Sequence, residues 1–242
     1  MDEIHKIAEY GKTYRAQYLT DQIRDKTAYE DDWFNGLKFF FSKSFFRGRD
    51  DSLSQRFMKA AIRAMEEFKP QLGSAFDKTA LESLLKSKGV NNHIDRRMVT
   101  ATCEFVLTKL ERWDRNVVRY AVDEITNGRV ASLSNDIRKI HAVKDKLASF
   151  YLRDVVLVYD LENLVKPEDY KYYQPIDTWV KQVAYALRLA VPADEDDVVK
   201  QKIIDACIAA DTSPLLFNAG AWLVGKNSLR LLLERLCPQN GD

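Results

Sequence analysis

The chain has 242 residues, of which 46% are hydrophobic and 30% charged, and its formal net charge is +1. This length is sufficient for a sizeable core, and the composition is that of a soluble globular protein. Apolar runs are shorter than the roughly 18–20 residues that a membrane span requires, and the charged N-terminus does not resemble a secretory signal. We therefore expect an intracellular, cytoplasmic protein without a membrane partner. The nearly neutral net charge does not by itself indicate that the protein binds nucleic acid.

The three cysteines, Cys103, Cys207 and Cys237, are widely spaced and form no C-x-x-C pair. This pattern predicts free thiols and argues against a zinc site or an iron-sulfur cluster. Cys103 and Cys207 stand among small and apolar residues, where a buried cysteine behaves as a hydrophobic side chain. No metal and no other cofactor is expected.

Helical periodicity runs along almost the whole chain and predicts about ten to twelve helices, with no convincing pair of alternating strands. The aromatic-rich segment from Trp33 to Phe46 predicts a core helix. Its outer residues Lys43, Arg47 and Arg49 are candidates for contact with phosphate groups.

Two later helices carry the residues of chemical interest. Ser134 or Asn135 is predicted to begin a helix that leads into the apolar stripe after Val143. Asp177 is predicted to cap the next amphipathic helix, and Ser213-Pro214 to begin the last one.

Lys146 lies beside the apolar stripe, so its ammonium is expected at the margin between core and solvent. Partial desolvation there, with Arg153 nearby, favours the neutral amine that a nucleophilic lysine needs. The alternative is a lysine that extends from a helix flank to solvent.

Asp177 is expected to stay ionised at a helix N-terminus, where a fixed anion can stabilise a developing sugar cation. The alternative is that Asp177 is a simple cap.

Together these segments resemble the helix-hairpin-helix (HhH-GPD) superfamily of DNA glycosylases. Lys146 and Ala148 match the family's Lys-x-Ala step, and Ile176–Val180 is similar to its aspartate segment. The resemblance implies an all-α, two-lobed fold with the active site between the lobes. A single unit over residues 1–242 would then consist of two interleaved helical subdomains. The hairpin and catalytic helix would occupy residues 134–160, and the aspartate loop and helix residues 164–190.

Within the superfamily the chain is most similar to the archaeal-type 8-oxoguanine DNA glycosylases, which have a long interval between lysine and aspartate. Here Lys146 and Asp177 are 31 positions apart. The resemblance implies that a flipped base stacks on Phe150 and that Asn218 and Trp222 complete the pocket. That group carries an aspartate where Asn218 stands.

The hairpin departs from the family pattern, because Ala142-Val143-Lys144 occupies the place of Gly-x-Gly. In the family, backbone N–H groups of this hairpin approach a DNA phosphate. His141 and Lys144 are expected to supply part of that contact here, together with Arg47 and Arg49.

The resemblance implies a base excision repair enzyme with DNA glycosylase and AP lyase activity. It would be a metal-independent monomer, associated with the nucleoid, that acts on damaged double-stranded DNA. Whether it also accepts single-stranded DNA stays open. Lys146 would attack the sugar and Asp177 would stabilise the cation. Two alternatives stay open: a catalytically eroded relative that binds DNA or a protein, and a monofunctional glycosylase for another modified base.

Overall fold

The computed structural model describes residues 2–71 and 76–236. Every regular element in these ranges is helical, which confirms the prediction of an all-α protein. Cys237 lies outside the described residues. Among the helices that are described, none is both long enough and apolar enough to cross a membrane.

The α-helices are, in chain order, α1 (Asp2–Tyr18), α2 (Thr20–Arg24), α3 (Lys26–Asp31), α4 (Trp33–Ser44), α5 (Asp51–Phe68), α6 (Lys78–Ser87), α7 (His93–Lys109), α8 (Val117–Thr126), α9 (Val130–Lys139), α10 (Asp145–Tyr159), α11 (Thr178–Ala186), α12 (Asp196–Ala209) and α13 (Pro214–Leu236). Short 3-10 helices span Lys69–Gln71, Glu111–Trp113, Glu162–Leu164 and Pro167–Tyr173. The described ranges thus hold slightly more α-helices than predicted, because α2 and α3 are too short to show a periodic apolar stripe.

The chain divides into two compact units. Both ends of the chain form one of them, from Met1–Ile23 and Lys166–Asp242, which we call the terminal unit. The central unit is the continuous segment Arg24–Val165.

Helix α4 is the core helix of the central unit, as its aromatic residues predict. It begins at the N-cap Asp32, whose carboxylate accepts hydrogen bonds from the backbone N–H groups of Phe34 and Asn35 at 2.7 and 2.9 Å. Its aromatic and aliphatic side chains are buried against α3, α5, α8 and α10. The buried apolar residues of this segment are Phe34, Leu37, Phe39, Phe40, Phe41 and Phe45.

Helix α10 passes through the same core. From Leu147 to Val158 every residue is buried except Phe150. The Tyr151 hydroxyl is buried and donates a hydrogen bond to the carbonyl of Val117 at 3.0 Å, which ties α10 to the start of α8. A helix enclosed on nearly all sides holds the few side chains at its margin in fixed positions.

In the terminal unit, α1 and α13 cross in direct backbone contact. A Cβ atom added at Gly220 would lie 1.8 Å from the carbonyl oxygen of Ile7, and one at Gly11 would lie 2.0 Å from that of Leu216. Only glycine allows this approach. The same helix α13 packs on α11, so it joins the first helix of the chain to the helix that follows Asp177.

The start of α9 differs from the prediction. The helix begins at Val130 after Arg129, which makes no side-chain cap, and not at Ser134 or Asn135. Val130 and Leu133 are buried on the same face, so this face begins one turn earlier than the polar residues suggested. Ser134 is itself buried inside the helix.

Candidate active site and hairpin

The hairpin between α9 and α10 keeps a turn that favours glycine although it contains none. The N–H of Val143 donates to the carbonyl of Ile140 at 3.0 Å and closes the turn. Ala142 has a φ of 64°, in the left-handed region. This conformation costs about 1–2 kcal/mol for a residue with a Cβ atom. The alanine therefore adopts a backbone conformation that glycine would adopt without strain.

Two backbone donors remain open at this turn. In the described part of the chain, the N–H groups of Ala142 and Lys144 donate to no protein acceptor. Lys144 is also the N-cap of α10 and contributes no side-chain cap. The positive end of this helix and the two N–H groups thus lie side by side, an arrangement that suits an anion.

Lys146 lies in the first turn of α10 and is half-buried, as predicted. Its Nζ atom makes no hydrogen bond or ion pair within the described residues. Phe150 follows one turn later on the same face and is only partly buried. Lys146 and Phe150 thus lie one turn apart on one face of α10, as their spacing predicts.

A buried ion cluster lies against Phe150. The Asp154 carboxylate contacts Lys43 Nζ at 2.8 Å and the Arg153 guanidinium at 2.9 Å. Burial alone would raise the pKa of Asp154, but the charges and hydrogen bonds of Lys43 and Arg153 outweigh it and lower that pKa. Lys43 Nζ lies 5.7 Å and Arg153 Cζ 4.9 Å from the centre of the Phe150 ring.

This cluster corrects one prediction. Lys43 was expected on the outer face of its helix, yet it is buried in an ion pair with Asp154. The sequence concealed the pairing because the two residues are far apart in the chain. Within the central unit, Lys43 lies beside the Phe150 ring and is not placed to meet DNA phosphate.

Arg47 and Arg49 share the buried carboxylate of Asp95. The guanidinium of Arg49 also donates to the Ser54 hydroxyl and to the carbonyl of Phe45, both at 3.0 Å. Arg49 is thus held by internal acceptors. That Arg47 and Arg49 contact DNA stays a prediction.

His141 lies among positive charges from several elements. Burial, followed by the charges of Arg97, Arg47, His93 and Lys144, lowers the pKa of His141. Arg97 and His93 belong to α7 and were not predicted for the site. In the sequence, the adjacent residues Arg96 and Arg97 marked this part of the chain as basic. They did not indicate that α7 approaches the hairpin.

In the terminal unit, Asp177 caps α11 as predicted. Its Oδ1 atom accepts a hydrogen bond from the N–H of Val180 at 2.9 Å, and its other oxygen accepts none within the described residues. The buried side chain of Asn218 donates to the carbonyl of Pro175 at 3.2 Å. Gln174, also buried, donates to the carbonyl of Pro214 at 3.1 Å. The segment that carries the aspartate is therefore fastened to α13.

Trp222 stands on α13 one turn after Asn218 and is half-buried. Its ring makes edge contacts with Tyr14 and Tyr18 of α1, with ring centres 5.7 and 5.5 Å away. Lys226 Nζ lies 4.6 Å from the centre of the ring. The tyrosines, one helical turn apart, were not predicted as neighbours of Trp222, although their spacing is visible in the sequence.

The predicted site residues divide between the units: Lys146, Phe150 and the hairpin belong to the central unit, and Asp177, Asn218 and Trp222 to the terminal unit. Within the described ranges, no three His, Cys, Asp or Glu side chains come together as a metal site would require. Comparison with protein-family models, curated proteins and solved structures finds no match to the chain.

Proposed function

We propose that the protein is a DNA glycosylase with AP lyase activity, specific for an oxidised purine such as 8-oxoguanine. The chain would belong to the HhH-GPD type, as its motifs suggest, and would act as a monomer on DNA of the nucleoid. A flipped base would stack on Phe150, as the resemblance implies.

One observation carries this proposal: the unpaired amine of Lys146 stands one helical turn before Phe150, directly after a turn with a left-handed residue and two open N–H groups. A lysine that only extends to solvent would need neither the aromatic ring nor the turn. A hairpin that offers N–H donors to a phosphate would hold the backbone of DNA beside the amine.

In the proposed reaction, Lys146 Nζ forms a bond to the anomeric carbon while the glycosidic bond breaks, and its electron pair leaves with the base. Asp177 offsets the positive charge that develops on the sugar. The base takes up a proton and the amine loses one. Ring opening gives an imine, and loss of a proton from the adjacent sugar carbon then expels the 3′ phosphate.

The test is borohydride trapping on a duplex with a single 8-oxoguanine. The wild-type protein should form a covalent adduct, and Lys146→Gln should form none. Lys109→Gln is the control, because Lys109 is exposed on α7 of the same unit. An adduct that persists in Lys146→Gln would overturn the assignment of the nucleophile.

The trapping assay also separates the alternatives. Base release without an adduct would indicate a monofunctional glycosylase. DNA binding without base release from a panel of single-lesion duplexes would indicate a binding protein. The second outcome has a specific observation in its favour, since Ala142 and Lys144 replace the glycines of the hairpin.

A further inference from the structure

Helix α5 carries a row of positive charges on its exposed face, in the central unit and outside the hairpin. Arg56, Lys59 and Arg63 follow one another at intervals of three and four residues, so they lie on one side of the helix. All three side chains are exposed. We call this row the α5 ridge. It is about 10 Å long, because an α-helix rises about 1.5 Å per residue.

The charges of the α5 ridge are not neutralised within the described part of the chain. None of its three side chains forms an ion pair or donates a hydrogen bond there. The carboxylates that follow on the same helix, Glu66 and Glu67, pair with Lys38 of α4 and with Lys88, the C-cap of α6. Asp51, in the first turn, lies about a third of a turn away around the helix. The ridge thus keeps three positive charges, which repel one another at these spacings.

The first side chain of the α5 ridge rests on a buried aromatic ring. The guanidinium carbon of Arg56 lies 5.7 Å from the centre of the Phe57 ring, and that of Arg49 lies 5.1 Å from it. Phe57 is buried, and Arg49 is fixed in turn by the carboxylate of Asp95. Arg56 is therefore oriented before any ligand binds, and the ridge adjoins a predicted DNA contact, Arg49.

We propose that the α5 ridge binds the phosphate backbone of duplex DNA and is a second contact surface of the protein beside the hairpin. The proposal rests on the proposed function for the choice of DNA among polyanions. It adds three residues to the DNA-binding surface, and they act without regard to base sequence because they contact phosphate alone.

The chemistry and the length of the α5 ridge suit a row of phosphates. The phosphates of one strand of B-DNA are spaced about 3.4 Å apart along the duplex axis, so the ridge spans about three of them. Its two arginines can each bind a phosphate through two parallel hydrogen bonds, and Lys59 adds a point charge. Gln55, exposed beside them, is a neutral donor of the kind that also contacts DNA backbone.

The apolar side of α5 is already used inside the central unit. Its buried side chains include Phe57, Ala61, Ala64, Met65 and Phe68. A helix that binds a membrane surface has to place its apolar side in the lipid, and the centre of a protein interface is poor in charged residues. The α5 ridge presents charge without an apolar side, which favours a polyanion bound by charge.

The experiment measures binding of the full chain to a lesion-free duplex of about 20 base pairs, by fluorescence anisotropy between about 50 and 200 mM salt. Lys59→Gln should lower the slope of log affinity against log salt by about 0.9 and weaken binding about fivefold to tenfold at about 0.1 M salt, because one counterion fewer is released. The triple variant Arg56→Gln/Lys59→Gln/Arg63→Gln should lower the slope by about 2.7 and the affinity by about a hundredfold to a thousandfold.

Matched variants separate the ridge from net charge and from folding. Lys59→Arg should keep the salt slope of wild type. Lys109→Gln removes the same charge from an exposed position on α7 and should change the slope far less than Lys59→Gln does. The Tm of Lys59→Gln should not fall, because the substitution removes repulsion within the helix. A triple variant that binds with the slope of wild type would overturn the proposal, as would equal effects of Lys59→Gln and Lys109→Gln.

The outcomes distinguish this inference from the proposed function. Binding of the duplex that depends on the α5 ridge, without release of any damaged base, would support the ridge and refute the glycosylase. Base release by a triple variant that binds the duplex as tightly as wild type would support the glycosylase and refute the ridge. A poly-glutamate peptide that binds as tightly as the duplex, and is lost equally in the triple variant, would overturn the assignment to DNA.

Discussion

Replacing Ala142 with glycine should stabilise the protein, against the usual effect of glycine. Relief of the left-handed conformation at φ 64° gains about 1–2 kcal/mol. The greater backbone entropy of glycine in the unfolded chain costs about 0.5–1 kcal/mol. The difference predicts a gain of about 0.5–1 kcal/mol in the free energy of unfolding, or a rise of about 1–4 °C in Tm for a chain of this size.

Ala131 provides the matched comparison, because it is an exposed alanine within the neighbouring helix α9. Ala131→Gly should therefore lower the free energy of unfolding by about 0.5–1 kcal/mol, the entropic cost alone. Equilibrium urea unfolding of wild type and the two variants would measure both differences. If glycine destabilises position 142 as much as position 131, the hairpin is not strained at Ala142 and the reasoning fails.

Two further predictions concern stability. Gly220→Ala should lower the free energy of unfolding by about 1–3 kcal/mol, measured by urea unfolding, because its Cβ atom would lie 1.8 Å from the backbone of Ile7; an unchanged stability would contradict the backbone contact of α1 with α13. Lys43→Met should cost about 3–5 kcal/mol at pH 7, because Asp154 would lose one of its buried partners. Since the pKa of Asp154 is lowered from its ordinary value of 3.8, this contribution is complete above that pH and is lost progressively as the pH falls below it toward the lowered pKa. The difference between wild type and Lys43→Met should therefore shrink in unfolding experiments near pH 3, and a constant difference would contradict the assignment.

Local features of the fold were predictable from the sequence because they depend on residues close together in the chain. The all-helical character follows from periodicity, and the caps at Asp177 and Ser213 follow from residue type. The burial of Cys103 and Cys207 follows from their apolar neighbours and is confirmed. The predicted start of α9 was wrong because a polar residue within the helix was interpreted as its N-cap.

Distant pairings could not be predicted. A buried lysine is stabilised by a partner on another helix, and no pattern around Lys43 indicates Asp154. The same holds for the approach of α7 to the hairpin, which places Arg97 near His141. The positions of the candidate residues on their helices were therefore predictable, whereas the charges around them were not.

The division of the chain has a consequence for its synthesis. The helix α1 leaves the ribosome before the central unit, whereas its partner α13 leaves only after that unit. The central unit is continuous and can form while translation proceeds, since domains generally fold as units during synthesis. Until α13 emerges, Gly11 lacks its contact with Leu216, and the face of α1 that packs on α13 stays uncovered. The unit with the lysine is thus complete on the nascent chain before the unit with the aspartate.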